Sequence, residues 1–238
     1  MTGVRNVVLV HGGFVDGSGW QGVYDLLKAD GFNVSVVQNQ TLSLDSDVES
    51  THNVLDQQDG PAILVGHSYG GVVITEAGMH DKVAGLVYIA GFAPDQGESL
   101  VQLVTKNPGS QIGPQTLITR KYPLAGGGDG TDLYLTKTGF ETAFAGDVPK
   151  HRADQMWAEQ RPFSQEAFDS LSGEPAWKTI PSWYLVATRD KAIPPATQRF
   201  MADRAGATTT EVRASHVPMI SQPDATTRLI LEAANAIS

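Results

Sequence analysis

Residues 61–79 read PAILVGHSYGGVVITEAGM. Ala62-Ile63-Leu64-Val65 is an apolar run suited to a buried strand, and it breaks into Gly66-His67-Ser68-Tyr69-Gly70-Gly71. Val72-Val73-Ile74-Thr75-Glu76-Ala77 then resumes as a helix apolar enough for a protein core. A strand, a sharp turn and a helix with serine at the apex form the context that a G-x-S-x-G nucleophile elbow requires. Gly66 and Gly70 are expected to remove collisions that side chains there would make with the neighbouring strand and helix. At average usage the pentapeptide arises by chance about 0.1 times in a chain of this size. Its weight therefore comes from the strand before it, the helix after it and the partners further along.

Upstream, Val4 to Val10 is β-branched and continuous, as a strand covered on both faces should be. It runs into the loop His11-Gly12-Gly13-Phe14, followed by a predicted helix from about Ser18 to Ala29 that Gly31 stops. A strand over Asn33–Val37, a helix over Leu44–Gln57, the elbow, and a strand over Lys82–Ala90 complete an alternation that implies an α/β fold. Its sheet should be mostly parallel and doubly wound. The alternation stops at Pro94. From there to Lys178 come Pro108, Pro114, Pro123, the run Gly126–Gly130, and short segments carrying Phe140, Phe144, Met156, Trp157, Phe163, Phe168 and Trp177. This stretch reads as an inserted helical cap. Ser182–Thr188 resumes the sheet, Pro194–Ala205 is a helix, Thr208–Val212 the last strand and Pro223–Ile237 the closing helix. The expected organisation is a core of residues 1–93 and 179–238 interrupted by a cap of residues 94–178.

At 238 residues the chain is long enough for one large α/β domain, and 41% hydrophobic with 18% charged residues is ordinary for a globular protein. A net charge of −9 argues against nucleic acid or an anionic membrane surface as partner, since both need a basic face. The chain has no cysteine, which removes disulfides, thiolate chemistry and Cys-based metal sites. No apolar stretch approaches the length of a membrane span. A cytoplasmic enzyme, monomer or homodimer, is the resulting expectation.

A serine hydroxyl needs a base within hydrogen-bond reach, itself oriented by a third group. In this fold class the partners follow in the order Ser, Asp or Glu, His. His80 lies at the far end of the elbow helix, roughly 18 Å from Ser68 at 1.5 Å per residue, and cannot reach. His151 sits among Lys150, Arg152 and Asp154, where a solvated role is the better reading. His216 falls between the last strand and the closing helix, at the carboxyl edge where open α/β sheets bind ligands. For the acid, Asp190 follows Ser182–Thr188 on that edge, and Asp95 follows the preceding strand as a competitor. Asp190 is favoured because acid and base then follow successive strands. The oxyanion hole is expected from the amides of Tyr69 and Gly13, with Phe14 second to Gly13.

Two other patterns compete. Gly17-Ser18-Gly19-Trp20-Gln21-Gly22 fits G-x-G-x-x-G, and Tyr24 with Lys28 fits the Tyr-x-x-x-Lys pair of short-chain dehydrogenases. The glycines start seven residues after the strand rather than directly behind it, and the second strand ends in Gln38-Asn39 without an acid for a ribose. Gly126–Gly130 lacks the Lys-Ser/Thr that closes a phosphate loop. No metal and no organic cofactor are expected.

Val7–Gly13, Leu64–Gly71, Asp190–Pro194 and Ser215–Pro223 together resemble the α/β-hydrolase superfamily. More narrowly, they resemble small bacterial esterase-like hydrolases similar to the plant methylesterase and hydroxynitrile lyase family. The resemblance implies Ser68, Asp190 and His216 as the triad, and Asp95 loses ground. Lyase members of that family place Thr after the first-loop His and Lys after the triad His. Here those positions are Gly12 and Val217, which points to ester hydrolysis. The expectation is therefore a serine esterase of small hydrophobic esters, with Gly12, Phe14, Trp157 and Val217 against substrate. A cofactor-free lyase or oxygenase on the same scaffold, and a ligand receptor, stand as alternatives.

Overall fold

The computed structural model describes residues 3–237; residues 1, 2 and 238, the outer ends of the expected core, lie outside them. In chain order the first half comprises β1 (Asn6–Val10), α1 (Gln21–Ala29), β2 (Asn33–Val37), α2 (Leu44–Asp56), β3 (Ala62–His67), α3 (Tyr69–Ala77) and β4 (Val83–Ile89). An intervening segment holds α4 (Leu100–Val104), β5 (Leu117–Pro123), β6 (Asp129–Leu135), α5 (Lys137–Gly139) running into a π-helical turn at Phe140–Phe144, α6 (Lys150–Ala158), β7 (Phe163–Ser164) and α7 (Gln165–Asp169). The chain finishes with β8 (Ser182–Ala187), α8 (Pro195–Arg204), β9 (Thr208–Val212), α9 (Pro218–Ser221) and α10 (Pro223–Ala236).

The main sheet has the order β2-β1-β3-β4-β8-β9, and every pairing in it is parallel. Burial follows position in that order. β1, β3 and β8 are buried at every residue, whereas the edge strand β9, TTTEV, is exposed along nearly its whole length. Apolar runs suit strands covered on both faces, and threonines suit an edge that meets water. Because β1 lies between β2 and β3, the connections leaving β1 and β3 run to opposite sides. Their carboxyl ends part there and open the crevice typical of such sheets.

The intervening segment, expected as a helical cap, carries strands as well as helices. β5, β6 and β7 form a three-stranded antiparallel sheet in that order. The glycine run is the tip of the β5–β6 hairpin, with Gly127 and Gly128 at φ +89° and +84°, the left-handed region that glycine enters at no steric cost. Two runs around a glycine turn are a hairpin signal. It is weak here because β5, LITRKYP, is largely exposed and lacks a clean apolar face.

At the elbow, Ser68 has φ +53° and ψ −123°, a strained conformation for a residue with a side chain. The surrounding backbone holds it there: the Ser68 carbonyl accepts from Gly71 N–H at 2.9 Å and Phe92 N–H at 3.0 Å. The turn is tight enough that a Cβ on Gly66 would lie 2.5 Å from the Gly70 carbonyl oxygen. On Gly70 it would lie 2.6 Å from the Val10 oxygen and 2.7 Å from the His11 oxygen. The two glycines thus let the turn close on its own helix and on β1. Gly70→Ala is expected to lower unfolding free energy by about 1–3 kcal/mol, as overpacking against backbone does. Gly126→Ala, which meets open space, should be neutral in the same urea titration.

Candidate active site

Three connections bring three side chains to the carboxyl edge of the sheet. Ser68 caps α3 directly after β3, Asp190 follows β8, and His216 lies in the loop between β9 and α9. Ser68 Oγ is 2.8 Å from His216 Nε2, and His216 Nδ1 is 2.7 Å from Asp190 Oδ2. The carboxylate can only accept, so Nδ1 carries the proton and Nε2 offers its lone pair to the serine O–H. All three are buried, at 8%, 4% and 1% exposure for Ser68, Asp190 and His216.

The Asp190 carboxylate is fully engaged. Oδ1 accepts from the Ala192 and Ile193 amides at 2.7 and 3.0 Å, and Oδ2 accepts from Gln198 Nε2 at 2.8 Å as well as from His216. Gln198, a buried polar residue on α8, escaped the sequence reading. Its only trace there is a glutamine on a helix face shared with Thr197, Met201 and Ala202. Asp95 is not brought to the site; it is partly exposed and pairs with Lys178 at 2.9 Å, which holds its carboxyl below the usual range. His80 instead pairs with Asp56 at 3.1 Å, and His151 is exposed.

His216 is held from the back as well. Its carbonyl accepts from His67 Nε2–H at 2.8 Å, and its ring lies 4.9 Å from the His67 ring and 4.8 Å from that of Phe144. Burial pushes the His67 imidazole well below its ordinary pKa, and proximity to His216 adds to this. His11, at the end of β1, is lowered by burial to about 4, and its Nδ1–H donates to the Gly12 carbonyl at 2.9 Å. Both rings are therefore neutral at pH 7. Each leaves one nitrogen, His11 Nε2 and His67 Nδ1, without a hydrogen-bond partner.

Ser68 and His216 open on a pocket of about 380 Å³ whose walls are overwhelmingly apolar. Gly13 and Tyr69 line it, with Phe14, Phe92, Leu100, Val104, Ile112, Phe144, Phe163, Phe168, Ala192 and Ile193. Of the residues expected against substrate, Phe14 is in this wall, at φ +65°. Gly12 lies beneath it, where a Cβ would be 2.7 Å from Ser68 Cβ. Trp157 and Val217 are not in the wall: the Trp157 indole donates to the Leu135 carbonyl at 3.2 Å, and Val217 is fully buried at the start of α9. The rest of the apolar wall was named only as core or as aromatic content, because pocket and core use the same residue types.

A second network fixes Tyr69. Its hydroxyl donates to Asp47 Oδ2 at 2.9 Å, and Asp47 Oδ1 accepts from Thr41 N–H at 3.0 Å. Burial raises the Asp47 carboxyl and pushes the Tyr69 phenol well above its ordinary value, with the Asp47 charge adding to the second shift. Thr41 also donates from Oγ1 to the Pro162 carbonyl and accepts from Ser164 N–H, so the strand carrying Phe163 is tied to the same loop. Among the described residues, no group of three or more His, Asp or Glu side chains is arranged to hold a metal ion. The competing Gly17–Gly22 pattern forms a 3₁₀ turn and the first residues of α1 rather than the turn directly behind β1.

Two neutral histidines contribute to the acid sensitivity of the fold. Between pH 6.5 and about 4 the unfolded chain protonates His11 while the folded chain does not. Stability therefore rises with pH through that window and is lost on acidification, at about 1.4 kcal/mol per pH unit for one such group. His67, lowered well below its ordinary value by burial, acts with the same sign. Asp47, whose carboxyl is raised by burial, has the opposite sign. Urea titrations at pH 7 and pH 5 should show a smaller loss in His11→Gln than in wild type; equal losses would remove His11 as a cause.

The comparisons with known proteins agree with this architecture. The chain is 26% identical over 251 residues to a pyrethroid hydrolase of Sphingobium wenxiniae, covering 98% of this chain and 89% of that one. It is 23% identical to methylesterase 1 of Arabidopsis thaliana, covering 92% of each. The crystal structure of polyneuridine aldehyde esterase superposes with a TM-score of 0.83 at 20% identity, over 96% of this chain and 98% of that chain, a likeness of fold. The model of the alpha/beta hydrolase family matches residues 7–229, nearly the whole described sheet and its helices, and the chain belongs to that family.

Proposed function

We propose that the chain is a serine hydrolase of small, uncharged, hydrophobic carboxylic esters. The observation that carries the reading is the continuous hydrogen-bond chain from Asp190 through His216 to Ser68, ending in an apolar pocket. The names of the relatives, a pyrethroid hydrolase and a methylesterase, add weight to an ester as substrate.

In this reading His216 Nε2 takes the Ser68 proton as Oγ attacks the carbonyl carbon, and Asp190 holds the resulting imidazolium. The amides of Gly13 and Tyr69 receive the oxyanion. Tyr69 is the first residue of α3, and leading amides of a helix have no partner within it. The imidazolium then returns the proton to the leaving alcohol, and water repeats the cycle on the acyl-enzyme. No step draws on a metal or organic cofactor. Residues 94–178 act as a cap, because they supply Leu100, Val104, Ile112, Phe144, Phe163 and Phe168 to the wall.

An apolar wall solvates a charged substrate poorly, since a carboxylate stripped of water needs partners that the wall lacks. Against p-nitrophenyl butyrate, Ser68→Ala is expected to lower kcat by at least about 10³-fold; full turnover by the variant would overturn the mechanism. Methyl butyrate should be preferred over monomethyl succinate by at least about tenfold in kcat/KM. Equal rates on the two would remove the neutral-substrate reading.

A further inference from the structure

His216 is carried on a short loop, and a loop by itself holds an imidazole loosely. Two of its anchors belong to the core: Asp190 at Nδ1 and His67 at the carbonyl. A third comes from the inserted segment. Ser215, directly before His216, donates its backbone N–H to Asp147 Oδ2 at 2.9 Å and its hydroxyl to Asp147 Oδ1. The Phe144 carbonyl lies 3.3 Å from the same hydroxyl, a second acceptor for its single proton.

We propose that Asp147 is a positioning residue for His216, through which the inserted segment holds the base in register with Ser68. This rests on the reading of His216 as the base. Both carboxylate oxygens are used on one residue, so Ser215 is fixed in position and in rotation about the chain. Charge-assisted bonds of this kind are about twice as strong as neutral ones. The same few residues also build the pocket: Phe144, three positions before Asp147, packs its ring on His216 and lines the wall. A displacement of residues 144–147 therefore moves the pocket wall and the base together. The proton-accepting geometry of the site depends on a carboxylate that touches neither substrate nor any of the three reacting side chains.

The test compares the full chain with Asp147→Ala and Asp147→Asn, using p-nitrophenyl butyrate. Loss of both acceptor oxygens is expected to lower kcat by about 10²-fold, the scale of a misplacement near 1 Å, with KM changed less than about threefold. Asp147→Asn keeps one acceptor for the Ser215 amide and should recover to within about tenfold of wild type. A second readout needs no turnover: the downfield Nδ1 proton of His216 in histidine-labelled protein, assigned with His216→Ala, should broaden in Asp147→Ala as the loop loosens. Should Asp147→Ala not fold, Ser215→Ala removes the hydroxyl arm from the other side and carries the same two readouts. A kcat within about twofold of wild type, or an unchanged Nδ1 resonance, overturns the proposal. A wild type that cleaves no ester overturns the proposed function instead, and the resonance still decides the role of Asp147.

Discussion

The site depends on how closely the backbone of the β3–α3 turn lies against its neighbours. Glycine at 66 and 70 lets the turn approach its own helix and β1 to distances at which any Cβ would collide with carbonyl oxygens. That approach sets the strained Ser68 at the carboxyl edge and brings the His11–Phe14 loop beside it. The strain is held by the Gly71 and Phe92 amides on the Ser68 carbonyl. Without close contact on both sides, Ser68 would relax towards ordinary helical angles and its hydroxyl would leave the edge.

Around that turn the protein keeps polar groups buried only where they are partnered or neutral. Asp190 is the buried charge with the fullest set of donors, two amides, a glutamine and an imidazole. His11 and His67 are carried as neutral rings whose single donors each meet a carbonyl. The cost is a fold that weakens as acid forces protons onto them. In return, the His67 ring packed against His216 carries no charge, and His216 Nε2 lies 2.8 Å from the Ser68 hydroxyl. The Tyr69–Asp47–Thr41 network works in the same way on the other side, tying the helix start to the strand that carries Phe163.

Much of the frame was legible along the chain. The apolar runs of β1, β3, β4 and β8 differ in kind from the threonine-rich edge β9, and the glycines of the elbow sit where collisions would otherwise occur. Chain order and position after a strand set Ser68 and His216 apart from His80 and His151 and favoured Asp190, but left Asp95, which also follows a strand on that edge, as a competitor. The β5–β6 hairpin was not legible as strands, because β5 is largely exposed without apolar alternation and β6 offers only Leu133 and Leu135 as a buried alternating pair. The pocket wall was legible only as aromatic content: Phe163 and Phe168 line it while Trp157 and Trp177 spend their indole N–H groups on the Leu135 and Pro94 carbonyls.

Local sequence therefore determined the elements of the parallel sheet, their winding and which residues could carry chemistry, because each of these follows from periodicity, steric allowance at glycine and position after a strand. The tertiary structure alone decided which donors complete Asp190, which aromatic faces line the pocket, and that Asp147 meets Ser215. Those contacts join residues as distant as Asp147 and Ser215, or Asp190 and His216, and distance in space between such positions is set by packing, which leaves no signature in the local chain.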